Sequence, residues 1–217
     1  MRLLSALLMV GVLGASLVAA EKSPPVRWGR DDLGKVPAGW KAEKTGKGDG
    51  SVWKIVADDS APSKSGLVLA QTAEGPRRLF NLCVAEEGRY QDVEVQVAFK
   101  AVRGKEDQGG GIVWRYQDAD NYYIARMNPL ESNYRVYKVV GGRRMQLGTK
   151  EDLKILAGEW HVLKIRQIGE HIECWLDGKT YLDVKDKTFA KAGKVGLWTK
   201  ADAQTRFDDL RVIAAKR

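Results

Sequence analysis

Short runs of alternating apolar and polar residues, separated by turn-forming residues, fill most of the chain. The cleanest lies at residues 92–100, where Val93, Val95, Val97 and Phe99 fall on one side and Asp92, Glu94 and Gln96 on the other. A period of two marks a strand buried on one face. Similar runs occur at residues 51–56, 66–70, 79–84, 112–117, 122–127, 134–140, 160–166, 172–176, 194–199 and 207–213, and Arg143, Met145 and Leu147 suggest a further arm. Between them stand Asp118-Ala-Asp-Asn121, Gly141-Gly142, Gly169-Glu170 and Asp177-Gly178, residues that tolerate tight turns. No long stretch has a helical period, and residues 153–157 and 188–192 are expected as single turns at most. The pattern predicts an all-β chain folded as an antiparallel two-sheet jelly-roll β-sandwich.

Closing the 118–121 turn with Gln117 opposite Tyr122 separates two faces of a hairpin. Ile112, Trp114, Tyr116, Tyr123, Ala125 and Met127 form an apolar side, expected to be core. Val113, Arg115, Gln117, Tyr122, Ile124, Arg126 and Asn128 form the other. Two guanidinium groups among planar side chains suit the hydroxyls and ring faces of a sugar, which makes Arg115, Gln117, Tyr122, Arg126 and Asn128 candidate ligand contacts. The same pattern also fits a solvated sheet face, or an Arg pair held by Glu106, Asp107 or Glu131.

Residues 1–20 break the strand grammar. Arg2 precedes an uncharged apolar run at 3–18, and Val18-Ala19-Ala20 supplies small residues at a cleavage point. This predicts a signal peptide over 1–20, an exported (periplasmic or secreted) protein, and one domain over 21–217. A retained anchor is the alternative, though the run is short for one. No Cys follows the cleavage point, which disfavours a bacterial lipid anchor. Overall, 36 Lys+Arg against 28 Asp+Glu give a net charge of +8, and Arg2 is the one charge in the first twenty residues, leaving +7 beyond it. Basic and acidic residues are interleaved, with Arg77-Arg78 and Arg143-Arg144 the longest basic clusters, so nucleic acid is not an expected partner. A diffuse positive field suits weak association with an anionic surface such as cell-envelope polysaccharide.

Export gives Cys83 and Cys174 two readings: a disulfide between distant strands, or two small buried apolar residues. Two Cys and two His have no metal-ligand spacing. His161, after Trp160 at a strand start, is the weak candidate for a general base; a structural His is the alternative.

The ordered set Gly109-Gly-Gly-Ile-Val-Trp-Arg-Tyr-Gln-Asp-Ala-Asp-Asn-Tyr-Tyr-Ile-Ala-Arg126, Gly158-Glu-Trp-His161, Ile172-Glu-Cys-Trp-Leu-Asp-Gly-Lys179, Gly193-Lys-Val-Gly-Leu-Trp-Thr199 and Phe207-Asp-Asp-Leu210 spans most of the chain. It resembles the concanavalin-A-like lectin/glucanase superfamily, including laminin-G-like domains, and is most similar to bacterial exported domains grouped with the 3-keto-disaccharide hydrolases. The resemblance implies a concanavalin-A-like fold and a carbohydrate-binding function on the concave sheet that holds Arg115 and Arg126, with a glycan or small saccharide as partner. Its alternatives are a hydrolase or lyase acting on 3-keto-disaccharides and a laminin-G-like protein-interaction module. Calcium in rim loops of related domains makes Asp118, Asp120 and Asn121 weak calcium candidates, with a plain hairpin turn the other reading. The resemblance brings no catalytic site. The Glu-x-Asp-x-x-Glu strand of laminarinase-type enzymes is absent, and Gln108-Gly-Gly-Gly111 stands where those hydrolases carry Gly-Asn-Ser-Gly. Elimination from a 3-keto sugar would need a base and a cation, roles that His161 with Arg115 or Arg126 would fill if the strands bring them together.

Overall fold

The computed structural model describes residues 25–216; the expected signal peptide over 1–20 lies outside them. Strands run in chain order as β1 (Trp40–Thr45), β2 (Trp53–Ala57), β3 (Leu67–Gln71), β4 (Phe80–Ala85), β5 (Val93–Arg103), β6 (Gly110–Asp118), β7 (Asn121–Asn128), β8 (Asn133–Val140), β9 (Arg143–Lys150), β10 (His161–Ile168), β11 (His171–Leu176), β12 (Lys179–Lys185), β13 (Lys194–Lys200) and β14 (Gln204–Ala214). They form two antiparallel seven-stranded sheets, β1-β4-β13-β6-β7-β8-β9 and β12-β11-β10-β5-β14-β3-β2. The first is called the front sheet and the second the back sheet. β12 lies against β8 and β9, β10 against β6 and β7, and β5 against β6, so the sheets stack face to face. This is the jelly-roll sandwich expected from the period-two pattern. Residues 153–157 and 188–192 carry no helical turn.

The alternation at 92–100 holds: Val93, Val95, Val97 and Phe99 are fully buried between the sheets. They meet Ile112, Trp114, Tyr123, Ala125 and Met127 from the front sheet. Burying side chains such as Phe99 and Phe207 stabilises by roughly 1.5–3 kcal/mol each. Trp114 Nε1 donates to Gln167 Oε1 at 2.6 Å, which satisfies two buried polar groups across the sandwich.

Cys83 and Cys174 are free and buried. Strand order explains why a disulfide does not form: β4 is second from one edge of the front sheet, and β11 is second from the opposite side of the back sheet. Of the two readings, buried apolar residues is the one the fold realises, and burial pushes both thiols well above the usual range.

The hairpin around 118–121 departs from the simple pairing. Asp118 opposes Asn121, but Trp114 already opposes Tyr123, so residues 115–117 bulge against Tyr122. Arg115 takes a φ of +45° to make the bulge. As a result Tyr116, expected in the core, joins Tyr122 on the outward face. Arg115 leaves that face.

Candidate functional site

Alternation should leave the outward face of an antiparallel sheet polar. The front sheet departs from that rule. Phe80, Leu82, Val84, Val113, Tyr116, Tyr122, Ile124, Val139 and Trp198 form a second buried apolar cluster on its outward side. Strand register places polar groups among them. One row runs Trp198, Gly111, Arg126, Arg135 across β13, β6, β7 and β8. The next brings Tyr137 beside Ile124, and the one after it brings Arg144 beside Val139. Gly111 is required between Trp198 and Arg126, because a Cβ there would sit 2.6 Å from the Ala125 carbonyl oxygen and 2.9 Å from Arg126 Cβ. The notch leaves bare backbone between the Trp198 and Arg126 positions.

Arg126 is 1% exposed. Its Nη1 donates to Asn133 Oδ1 at 2.9 Å and its Nη2 to Glu131 Oε2 at 2.8 Å, with Tyr137 Oη at 3.4 Å. Burial alone would lower its pKa, but Tyr137, Asp107 and Glu131 outweigh that and hold it fully charged. Burial likewise pushes Glu131 up, and the bond and charge of Arg126 bring it below the usual carboxylate range. The reading in which a carboxylate holds this Arg is therefore realised, by Glu131.

Asp107 reaches the same face from the loop after β5. The Asp202 carboxylate accepts the backbone N–H groups of Lys105, Glu106 and Asp107, folding the loop down. Gly104 allows this fold with a φ of +152°, where a Cβ would lie 1.8 Å from the Asp107 carbonyl oxygen. Asp107 accepts from Asn128 Nδ2 at 3.1 Å and from Lys200 Nζ at 3.1 Å. Burial raises its pKa above the usual carboxylate value, against the pull of Arg126 and Lys200.

Arg144 closes the face. Its Cζ lies 4.4 Å from the Tyr137 ring centroid, 5.2 Å from Phe80 and 5.8 Å from Trp198, a guanidinium held by aromatic faces. Burial lowers its pKa. Three donors here, Arg126 Nε, Arg144 Nη1 and Trp198 Nε1, are buried without a well-formed hydrogen bond, the indole N–H lying beside the Tyr122 hydroxyl. The other such atoms among the described residues, on Trp28, His161 and Arg211, occur singly elsewhere.

The expected ligand set is therefore divided. Tyr122, Arg126 and Asn128 share the front face, where Tyr122 is apolar floor with its hydroxyl 2.6 Å from Thr45 Oγ1. Arg115 sits at the end of the sandwich, donating to the carbonyls of Gln91, Phe189 and Gly169, with Asp92 at 3.4 Å. The bulge carried it there. Gln117 lies beside it, accepting from Arg89 and donating to the Arg115 carbonyl. Asp118 caps the hairpin turn: its carboxylate accepts from the Asp120 N–H and the Asn121 amide, while Asn121 Oδ1 accepts from the Gly141 N–H.

His161 is on the back sheet opposite Phe99, with Nδ1 2.8 Å from Asp177 Oδ2, and meets neither Arg115 nor Arg126. The base-and-cation arrangement sketched for His161 is not assembled. Among the described residues, one trio of metal-type side chains converges, His171, Glu173 and Asp183 on the back sheet, apart from the 118–121 turn. Sequence reasoning missed Tyr137, Arg144, Trp198 and Lys200 as members of the site. Extending the 122–128 alternation onto residues 134–140 and 143–147 was the signal for the first two.

Two stacked antiparallel sheets of this topology define a concanavalin-A-like jelly roll, the fold class of lectins and carbohydrate-binding modules. Residues 31–213 match the 3-keto-alpha-glucoside-1,2-lyase-like domain, and the chain belongs to that family. Among solved structures it is similar to the carbohydrate-binding module CBM66 from Bacillus subtilis, with TM-score 0.64 and 16% identity over 80% of this chain and 94% of that one. It is also similar to a Bacillus subtilis protein of unknown function with a galectin-like fold, with TM-score 0.57 and 14% identity over 82% and 90%. The exoplasmic/lumenal domain of VIP36 in its Ca2+/Man-bound form gives TM-score 0.57 and 11% identity over 88% and 90%. A comparison with curated proteins finds no match. Among the described residues no helix is long and apolar enough to cross a membrane.

Proposed function

We propose that the domain binds a saccharide on the outward face of the front sheet, around Arg126, Tyr137, Arg144 and Trp198. The observation that carries this reading is the gathering of three buried donors without well-formed hydrogen bonds beside aromatic rings. A buried donor left unpaired costs about 1–3 kcal/mol, and three on one face call for an oxygen-rich ligand. Sugar hydroxyls supply acceptors, and the apolar faces of sugar rings stack on Trp and Tyr. The Arg144 guanidinium already lies over those rings, so entry asks for a side-chain swing rather than a backbone movement. The saccharide partners of CBM66 and the VIP36 domain, as their names give them, support the choice of ligand class. A glycan panel with and without Ca2+, read against Arg126→Gln, tests it. Binding that weakens at least tenfold in the variant is expected; unchanged binding overturns the site. Loss of binding on chelation would bring the 118–121 turn back as a calcium site. Residues 1–20 are proposed to direct export, and the mass of the exported protein, expected to begin at Glu21, checks that.

A second reading, lyase chemistry on 3-keto-glucosides, is favoured by Asp107. Its burial-raised carboxyl beside Arg126 and Lys200 pairs a base with cations suited to an enolate. Abstraction of the proton next to the ketone would expel the glycosidic oxygen from the neighbouring carbon. Product formation from a 3-keto-glucoside that disappears in Asp107→Asn would support it, and no product from the unmodified protein would rule it out.

A further inference from the structure

The charges on the front face do not balance, and the excess has an address. Arg126 is matched by Glu131 at 2.8 Å, Arg135 by Glu151 at 3.0 Å, and Lys200 by Asp107 at 3.1 Å. Lys41 and Glu43, out on β1, pair with each other at 2.6 Å. Arg144 has no carboxylate within ion-pair distance among the described residues; its guanidinium packs over three aromatic rings, and the charges of Asp107 and Glu131 act on it only from farther away. Its Nη1 is buried without an acceptor. A guanidinium remains protonated in proteins, so it cannot shed this charge by titrating. Arg144 as a whole is half-buried, but a buried donor such as this Nη1 is costly to leave without an acceptor, and an anion would supply one.

We propose that the saccharide is acidic, and that its carboxylate is received by Arg144 together with the donors Arg126 Nε and Trp198 Nε1. This deepens the saccharide-binding reading and rests on it. A carboxylate offers two oxygens and about four lone-pair sites, enough for three donors, and its plane matches the guanidinium fork. The neutral hydroxyls of the same sugar would meet the aromatic floor and Asn128. Within this cluster of aromatic rings Arg144 is the cation without an ion-pair partner, and one negative charge, as a hexuronate residue supplies, would match it.

The test is calorimetric titration with galacturonate tetrasaccharide, its methyl ester and the corresponding galactose tetrasaccharide, at low and high salt. We expect the acid to bind at least tenfold tighter than the ester, about 1.4 kcal/mol, with the difference shrinking at high salt. Arg144→Gln should bring the acid-to-ester ratio near one, and Arg144→Lys, which restores a point charge without the fork, should recover part of it. A melting curve shows that each variant is folded. Equal affinity for acid and ester overturns the acidic-ligand inference and leaves saccharide binding standing. No binding of any of the three, nor of any glycan in the wider panel, removes the saccharide reading itself. A preference for acid that survives Arg144→Gln overturns the assignment to Arg144. A sulfated galactan that binds as tightly as the hexuronate overturns the carboxylate assignment in favour of charge alone.

Discussion

The outward faces of the two sheets carry similar parts put to different use. On the back sheet, Trp160 stands beside a cation, Lys100, whose Nζ is 4.9 Å from the ring, with Asp58 buried next to it. There every group is matched. Asp58 accepts from Lys100 at 2.6 Å, Arg206 at 2.7 Å and Ser60 at 2.6 Å, and Trp160 Nε1 donates to Ser60 Oγ at 3.0 Å. Burial raises the Asp58 pKa, and those bonds outweigh it and hold the carboxyl well below the usual range. On the front sheet, Trp198, Arg144 and Asp107 repeat the combination, but the indole N–H and Arg144 Nη1 are buried without a well-formed hydrogen bond. On the proposed reading, this difference separates scaffold from site. Saturated polar clusters stabilise a fold, whereas unsatisfied ones persist where something else completes them.

Four experiments would break or sharpen that contrast. The largest effect is expected from Asp58→Ala, which strands two cations and should cost about 3 kcal/mol in chemical denaturation while leaving saccharide affinity intact. Next comes Asp186, another saturated carboxylate, which accepts from Tyr123 Oη at 2.6 Å and Lys138 Nζ at 2.8 Å. Burial raises its pKa, and bonds from Lys138, Tyr123 and Thr188 prevail, bringing it to about 2. The folded value lies below the unfolded one near 3.9, so its stabilisation is present at neutral pH. That stabilisation is lost as pH falls from about 4 to about 2. Melting temperatures of the parent and Asp186→Asn should therefore differ at pH 7 and converge at pH 2.

Smaller still is Arg144→Met. Removing an unmatched, half-buried charge while keeping its packing should leave stability within about 1 kcal/mol of the parent, or raise it, even though ligand affinity falls. A loss of stability as large as that of Asp58→Ala would place Arg144 in the scaffold. The smallest expectation is no effect: reducing agent should not shift the melting temperature, and thiol titration of the unfolded chain should count Cys83 and Cys174 as free.

Alternation makes the sandwich legible in the sequence, because the period of two follows from backbone geometry and burial acts on it directly. It also put Tyr122, Arg126 and Asn128 on one face. It failed at Arg115 for a local reason: three residues bulge against one, and a bulge leaves the sequence pattern nearly unchanged while turning a side chain through the sheet. Arg115 and Arg126 look equivalent in sequence, yet one is spent on backbone carbonyls at a corner. Trp198 was hidden for a different reason. It joins the Arg126 row only through strand order, β13-β6-β7, and strand order is not written in local periodicity. Asp107 required a loop folded by Asp202, a contact 95 residues apart in sequence.

The most direct test of the front face as the binding site is nuclear magnetic resonance of side-chain N–H groups during titration with the galactose and galacturonate tetrasaccharides. The Trp198 Nε1–H and Arg126 Nε–H signals are expected to move on binding, while Trp160 Nε1–H stays in place. A Trp160 signal that moves with Trp198 unchanged would contradict the account.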